Sequence, residues 1–213
     1  MLQIYRHIND LMSSNSYVLS DSESRCCVIV DPGSEKSEEI IKYITDNNYI
    51  PEYILLTHEH SDHTWGVNAL LDKYPNIKVV GSKACKDALS RAVQAYFRYY
   101  YSDPTYVYHV RRVDITVEEL NSQLQWHDYT IQFIATPGHS YGSVCFIIDN
   151  KFFSGDTVMQ TRPYINKRDG NVELYKKSIA LLKQTIPGTM NVYPGHGDQF
   201  MFMENTLSNK LID

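Results

Sequence analysis

A chain of 213 residues, 43% apolar and 21% charged, has the material for one packed domain. Its net charge of −5 gives no sign of a nucleic-acid partner, and no apolar run approaches the length of a membrane span. The opening MLQIYRHIND lacks the basic start and apolar stretch of a secretory leader. Cys26, Cys27, Cys85 and Cys145 form no C-x-x-C pair, so the expectation is a cytoplasmic protein with reduced core thiols.

In chain order, LQIYRHI (2–8), SYVLS (16–20) and RCCVIVD (25–31) read as strands, the last closed by Pro32-Gly33. Ile40, Ile41 and Ile44 fall at helical spacing within about 36–47. EYILLT (52–57) is a buried strand, followed by a helix over about 65–74 and a strand over 77–81. Ser82 is placed to cap a helix running to about Phe97. Strands are then expected at 112–117, 129–136, 143–149, 151–155 and 190–194, with a helix over about 172–183 and a last helix in MENTLSNKLI. Strands and helices mix without strict alternation, and a hairpin turns at Asp149-Asn150. That pattern favours an α+β protein with sheets packed on each other and helices outside.

The chemistry concentrates just past strand ends. LLTHEHSDHTWG (55–66) places His58, His60, Asp62 and His63 within six residues. ATPGHS, FSGDTV and YPGHG each end a strand, turn on glycine and present His139, Asp156 and His196. An exposed loop carrying idle histidines is the bland alternative, but five of the eight histidines recur in this one grammar. A zincin helix is excluded, because His58-Glu59 would need a histidine where Asp62 stands. Imidazole with carboxylate suits Zn2+, Fe2+ or Mn2+, and no cysteine is placed to join them.

THEHSDH, PGHS, SGDT and PGHG, in that order over about residues 2–200, resemble the metallo-β-lactamase superfamily, in particular its glyoxalase II-like hydrolases. The resemblance implies a four-layer αββα sandwich of two mixed β-sheets; the length suits a single domain over 1–213, and the aromatic run at about 95–112 reads as an insert in it. The same resemblance implies a dinuclear site, most simply two Zn2+, with His58, His60 and His139 on one ion. Asp62, His63 and His196 then hold the other and Asp156 bridges. A hydroxide shared by the ions, oriented by Asp62, would attack a small thioester or ester. Bridging Asp156 argues against a β-lactam as substrate. The chain ends soon after His196, short of the helical region with which glyoxalase II holds glutathione.

The loop QTRPYINKRDG (160–170) offers Arg162, Lys167 and Arg168 to an anionic small-molecule substrate, against the alternative of a solvated basic loop. The segment AYFRYYYSDPTYVYHVRR (95–112) can shape the pocket mouth, make a homodimer contact or stack single-stranded nucleic acid. His7, His109 and His127 read as ordinary surface or packing residues, and Glu59 as exposed. Three readings compete with the hydrolase: a mononuclear-iron sulfur dioxygenase acting on a persulfide, a phosphodiesterase, and an inactive metal-binding module.

Overall fold

The computed structural model of the protein describes residues 1–91 and 107–202. In the first sheet β1 (Leu2–Ile8), β2 (Asn15–Asp21) and β3 (Cys26–Val30) run antiparallel, and β4 (Ile50–Leu55), β5 (Lys78–Gly81) and β6 (Ile115–Thr116) continue in parallel from β3. The second sheet holds β7 (Gln123–Trp126), β8 (Tyr129–Ala135), β9 (Val144–Ile148) and β10 (Lys151–Gly155) as an antiparallel meander. There β11 (Asn191–Pro194) joins β10 in parallel and β12 (Phe200–Met201) closes the edge. The helices are α1 (Glu38–Asp46), α2 (Ser61–Thr64), α3 (Val67–Lys73), α4 (Lys83–Leu89) and α5 (Val172–Thr185).

Strand periodicity sorts the core into layers, because successive side chains point to opposite faces. Val28 and Val30 face the second sheet, where they join Leu55, Phe146 and Phe153. Cys27 and Ile29, their neighbours in sequence, face α1 and α3 with Ile40, Ile44 and Leu70. On the other side Cys145 and Phe152 pack under α5 against Tyr175, Ile179 and Leu182. The result is the αββα order expected from the sequence. Side-chain caps start two of the outer helices: Ser82 Oγ accepts from Cys85 N at 3.0 Å, and Asn171 Oδ1 from Leu174 N at 2.9 Å.

Several boundaries differ from the expectation. The strand expected at 112–117 is a ladder only at 115–116, since the Asp114 carboxylate accepts from Val79 N at 2.8 Å in place of a backbone partner. The helix expected over 65–74 runs over 67–73, since the Gly66 N–H before it turns aside to Pro32 O at 2.8 Å, and a separate helical turn at 61–64 precedes it. Among the described residues α4 ends at Leu89, where the Ser90 hydroxyl donates back to Asp87 O. Strands β7 and β12 were not expected. Most of the aromatic-rich segment and the last helix lie outside the described residues. Of that segment, Tyr108 is buried and its hydroxyl donates to Thr64 O.

The segments leaving β3, β4, β8, β10 and β11 gather along one edge of the sandwich. Asn15 at the start of β2 clamps the last of them, donating from Nδ2 to Pro194 O at 2.9 Å and Gly197 O at 2.8 Å. Tyr17 Oη adds a third bond to Pro194 O at 2.7 Å, so the first sheet grips the turn bearing His196.

Phe153 is fully buried between the sheets, stacked on Phe146 at 4.7 Å and on Tyr193 at 4.8 Å. Phe153→Ala should lower unfolding free energy by about 3–5 kcal/mol, read as a fall in denaturant midpoint at constant slope. A loss under about 1 kcal/mol would mean the inter-sheet layer can close over the gap.

Candidate metal centre

The seven residues expected at the site meet on this edge. His58, His60 and His139 bring one nitrogen each to within 4.8 Å of one another. Asp62, His63 and His196 form a second group of the same size. Asp156 lies between them: Oδ1 is 3.5 Å from His63 Nε2, while Oδ2 is 3.5 Å from His139 Nε2 and 3.4 Å from His196 Nε2. Close packing of glycine makes room for it. A Cβ on Gly195 would stand 2.0 Å from Asp156 Oδ1, and Gly155, at φ 49°, passes against Thr57.

Four of the five imidazoles are fixed from behind. His139 Nδ1 lies 2.8 Å from Tyr164 O, and a carbonyl only accepts, so Nδ1 carries the hydrogen and Nε2 is a lone pair. The Asp169 carboxylate stands 3.3 Å from His60 Nε2, leaving His60 Nδ1 to face the site. Asp31 accepts from His63 Nδ1 at 3.1 Å and from the Thr57 hydroxyl at 2.5 Å. Thr57 Oγ1, its proton committed to Asp31, can accept from His58 Nδ1 at 3.0 Å. This is the outer arrangement that orients metal-binding histidines.

The inward atoms fit a cation and little else. His60 Nδ1 and His139 Nε2 face each other at 2.9 Å, two lone pairs with no hydrogen between them in these tautomers. His58 Nε2 and Asp156 Oδ1 are buried without a hydrogen-bond partner. Such groups cost free energy unless a ligand takes them. All seven residues can hold divalent ions as two groups of three sharing Asp156. His58 and His63 are fully enclosed, whereas Asp62, His60 and His196 keep 16%, 16% and 25% of their side-chain surface, so the mouth is on their side.

In the metal-free protein the same geometry splits the histidines electrically. Burial pushes His139 down to about 4 and His58 well below its ordinary value, His58 aided by the neighbouring imidazoles. Burial opposes charge on His63 too, but the Asp62 and Asp156 carboxylates and Asp31 raise it to about 9. On His196 the hydrogen bonds to Asp156 and Asp62 overcome burial and raise it to about 10. Asp156 stays ionised despite burial because His63 and His196 face it.

Sequence reasoning missed the residues behind the ligands. Asp31 follows β3 and is almost fully buried, and Asp169 sits in the loop from which only Arg162, Lys167 and Arg168 were singled out. Glu59, expected to be exposed, is half-buried. It accepts from the Ser140 hydroxyl at 2.9 Å and braces the His139 turn. Beside the centre a cavity of about 340 Å³ is lined by Arg162, Tyr164, Tyr175 and Lys176 among others. Lys167 and Arg168 are exposed on the same loop outside its lining; α5 supplies Lys176 instead. A larger cavity of about 440 Å³ lies over the start of α1; neither cavity is lined by any of the seven residues, and the smaller one adjoins the centre through Tyr164, whose carbonyl holds His139.

A profile described as the metallo-beta-lactamase superfamily matches residues 9–196. A curated hydroxyacylglutathione hydrolase from Enterobacter sp. (strain 638) is 32% identical over 175 residues, 80% of this chain and 58% of that protein. The chain therefore spans little more than half of that relative's length. Among solved structures, the BLEG-1 B3 metallo-beta-lactamase superposes with a TM-score of 0.85 at 25% identity, covering 99% of each chain. TTHA1623 in a di-iron-bound form gives 0.72 at 22% identity over 97% of this chain and 98% of that one. ETHE1 from Myxococcus xanthus gives 0.70 at 20%, over 94% and 80%. The last two likenesses concern the fold alone.

The pKa pattern sets the acid–base behaviour of chelated protein. His63 and His196, raised to about 9 and 10, contribute stability that is complete below the unfolded value near 6.5 and lost as pH rises through 9–10. Depressed His139 acts oppositely, costing stability as pH falls from about 6.5 toward 4. The thermal midpoint of the metal-free protein should therefore peak between about pH 6 and 7. A midpoint still climbing at pH 9 would contradict this charge distribution.

Proposed function

The chain belongs to the metallo-β-lactamase superfamily, and from that premise we propose that it is a metal-dependent hydrolase of a small thioester or ester. The observation that carries this reading is Asp156, whose two oxygens face two complete groups of three ligands. A mononuclear-iron dioxygenase would use only part of this donor set, so metal identity and stoichiometry separate the two readings. We take the ions to be zinc, with iron and manganese compatible with the same donors. Two such ions, when bound, activate water at neutral pH and polarise the oxygen of a scissile carbonyl.

The protein's own residues do the rest. Asp62 stands at the open mouth with its side chain 3.3 Å from His196 and 3.5 Å from His63. There its carboxylate can both ligate and accept a proton from attacking water. Asp31 and Asp169 keep the imidazole lone pairs aimed inward. The cavity beside Tyr164 receives the substrate's distal part, and Arg162 and Lys176 favour an anionic one. No thiol nucleophile is called on: burial pushes Cys27 and Cys145 up, and Cys85 well up. Four free, buried cysteines support a reducing, cytoplasmic setting. The hydroxyacylglutathione hydrolase likeness supports a thioester; the BLEG-1 likeness makes a β-lactam the natural control.

The test is hydrolysis of 2-hydroxyacyl thioesters by zinc-reconstituted protein, beside simple esters and a cephalosporin, with oxygen uptake on a persulfide measured for iron-reconstituted protein. Thioester or ester turnover is expected. Cephalosporin opening alone, or oxygen uptake with the persulfide alone, would replace the reading. Asp156→Ala should cut turnover by more than about a hundredfold and reduce metal at the centre; full turnover would remove Asp156 from both ions. Arg162→Ala should raise KM about tenfold for a carboxylate-bearing thioester and leave a neutral one unchanged. Equal effects on both would dismiss the anion contact.

A further inference from the structure

A second cluster of metal-ligating side chains sits at the opposite end of the sandwich. Cys26 opens β3, Glu52 lies near the start of β4, and His127 occupies the turn between β7 and β8. One ligand atom from each falls within 4.8 Å of the others. The same strands run to the candidate metal centre at their far ends. Five to seven residues at about 3.3 Å each put the two clusters roughly 17–23 Å apart.

The backbone is shaped to bring these three together. Arg25, just before Cys26, has φ 57°, and His127 has φ 49°. Both are left-handed conformations that side chains other than glycine rarely adopt. Pairing between β3 and β4 slips between Cys27 and Val28, beside Glu52. Glu52 Oε2 receives the Trp126 indole N–H at 2.8 Å and stands 2.9 Å from His127 Nε2. Trp126 is 1% exposed and wedged between the sheets, so its N–H holds the carboxylate as a second-layer donor holds a metal ligand. Cys26 Sγ makes a 3.7 Å contact to Ser24 O and a side-chain hydrogen bond with Glu52. An ordinary surface pair of Glu52 and His127 accounts for neither the thiol beside it nor the buried indole behind it.

We propose that Cys26, Glu52 and His127 form a separate site for one borderline-soft divalent cation of the zinc class, tying the first sheet to the β7–β8 turn of the second. Thiolate, imidazole and carboxylate are the mixed donors that zinc accepts, with water in the fourth position on the exposed Glu52–His127 side. On binding, the Cys26 S–H proton leaves to solvent and the sulfur–metal bond forms; nothing is oxidised or reduced. Burial, then the Glu52 charge, keeps the Cys26 thiol protonated without metal, so binding weakens as pH falls. The histidine-rich centre contains no thiolate, so the two sites differ spectroscopically, and the failure of either assignment leaves the other standing.

The experiment is titration of chelated full-length protein with Co2+. The visible bands of the histidine centre report one site, and thiolate-to-cobalt charge transfer in the near ultraviolet reports the other. The unaltered chain should develop the thiolate band, and Cys26→Ser should abolish it while retaining the visible bands and thioester turnover. His127→Asn, at an exposed turn where asparagine tolerates positive φ, should weaken the thiolate band's cobalt affinity by at least about tenfold. It reads the same site should serine at 26 disturb folding. Absence of the thiolate band once the visible bands saturate, its survival in Cys26→Ser, or an unchanged affinity in His127→Asn would overturn the proposal.

Discussion

Imidazole lone pairs aimed at one another inside a protein need a cation, and much of this fold serves that constraint. The inward nitrogens of His60 and His139 approach to 2.9 Å. They are held there because Asp169 and the Tyr164 carbonyl claim the opposite nitrogens. The same division recurs at His63, with Asp31 behind it. Glycine turns, parallel strand ends and the Asn15–Tyr17 clamp then read as means of bringing five separate chain segments to one point.

The cluster of candidate ligands was legible in the sequence because its signal is local. His58, His60, Asp62 and His63 are close together, and His139, Asp156 and His196 each follow a strand through a glycine turn. The layered sheets were legible for a related reason: strands such as CCVIV bury both faces, so a continuous apolar run stands out. What could not be read is defined by contact across the chain. Asp169 acquires its role from His60, 109 residues earlier, and nothing in KRDG separates it from any loop aspartate. Asp31 looks like the polar end of a strand until Thr57 and His63 are placed against it. Short ladders were hard to read as well: β12, two residues long, exists only because β11 presents an edge, and β6 keeps two residues of the six expected.

The parallel strands give the sandwich two unlike ends. At one, their C-terminal loops hold nitrogen and oxygen donors in a nearly closed pocket; at the other, their starts place a thiol beside a carboxylate and a turn histidine. The apolar layer between, with Phe146, Phe153 and Trp126, keeps the two chemistries apart and fixes the positions of both.

The loop from Arg162 to Gly170 carries a consequence of its own. It lines the cavity beside the centre, yet it also supplies the Tyr164 carbonyl and the Asp169 carboxylate that orient two ligands. Gly170 is pinned as well, since a Cβ there would meet His139 O at 2.4 Å. Descendants of this sequence can therefore diversify the exposed side chains of the loop freely, but they cannot lengthen or shorten it without shifting both backing groups. Divergence toward new substrates is channelled into side-chain exchange at fixed loop length.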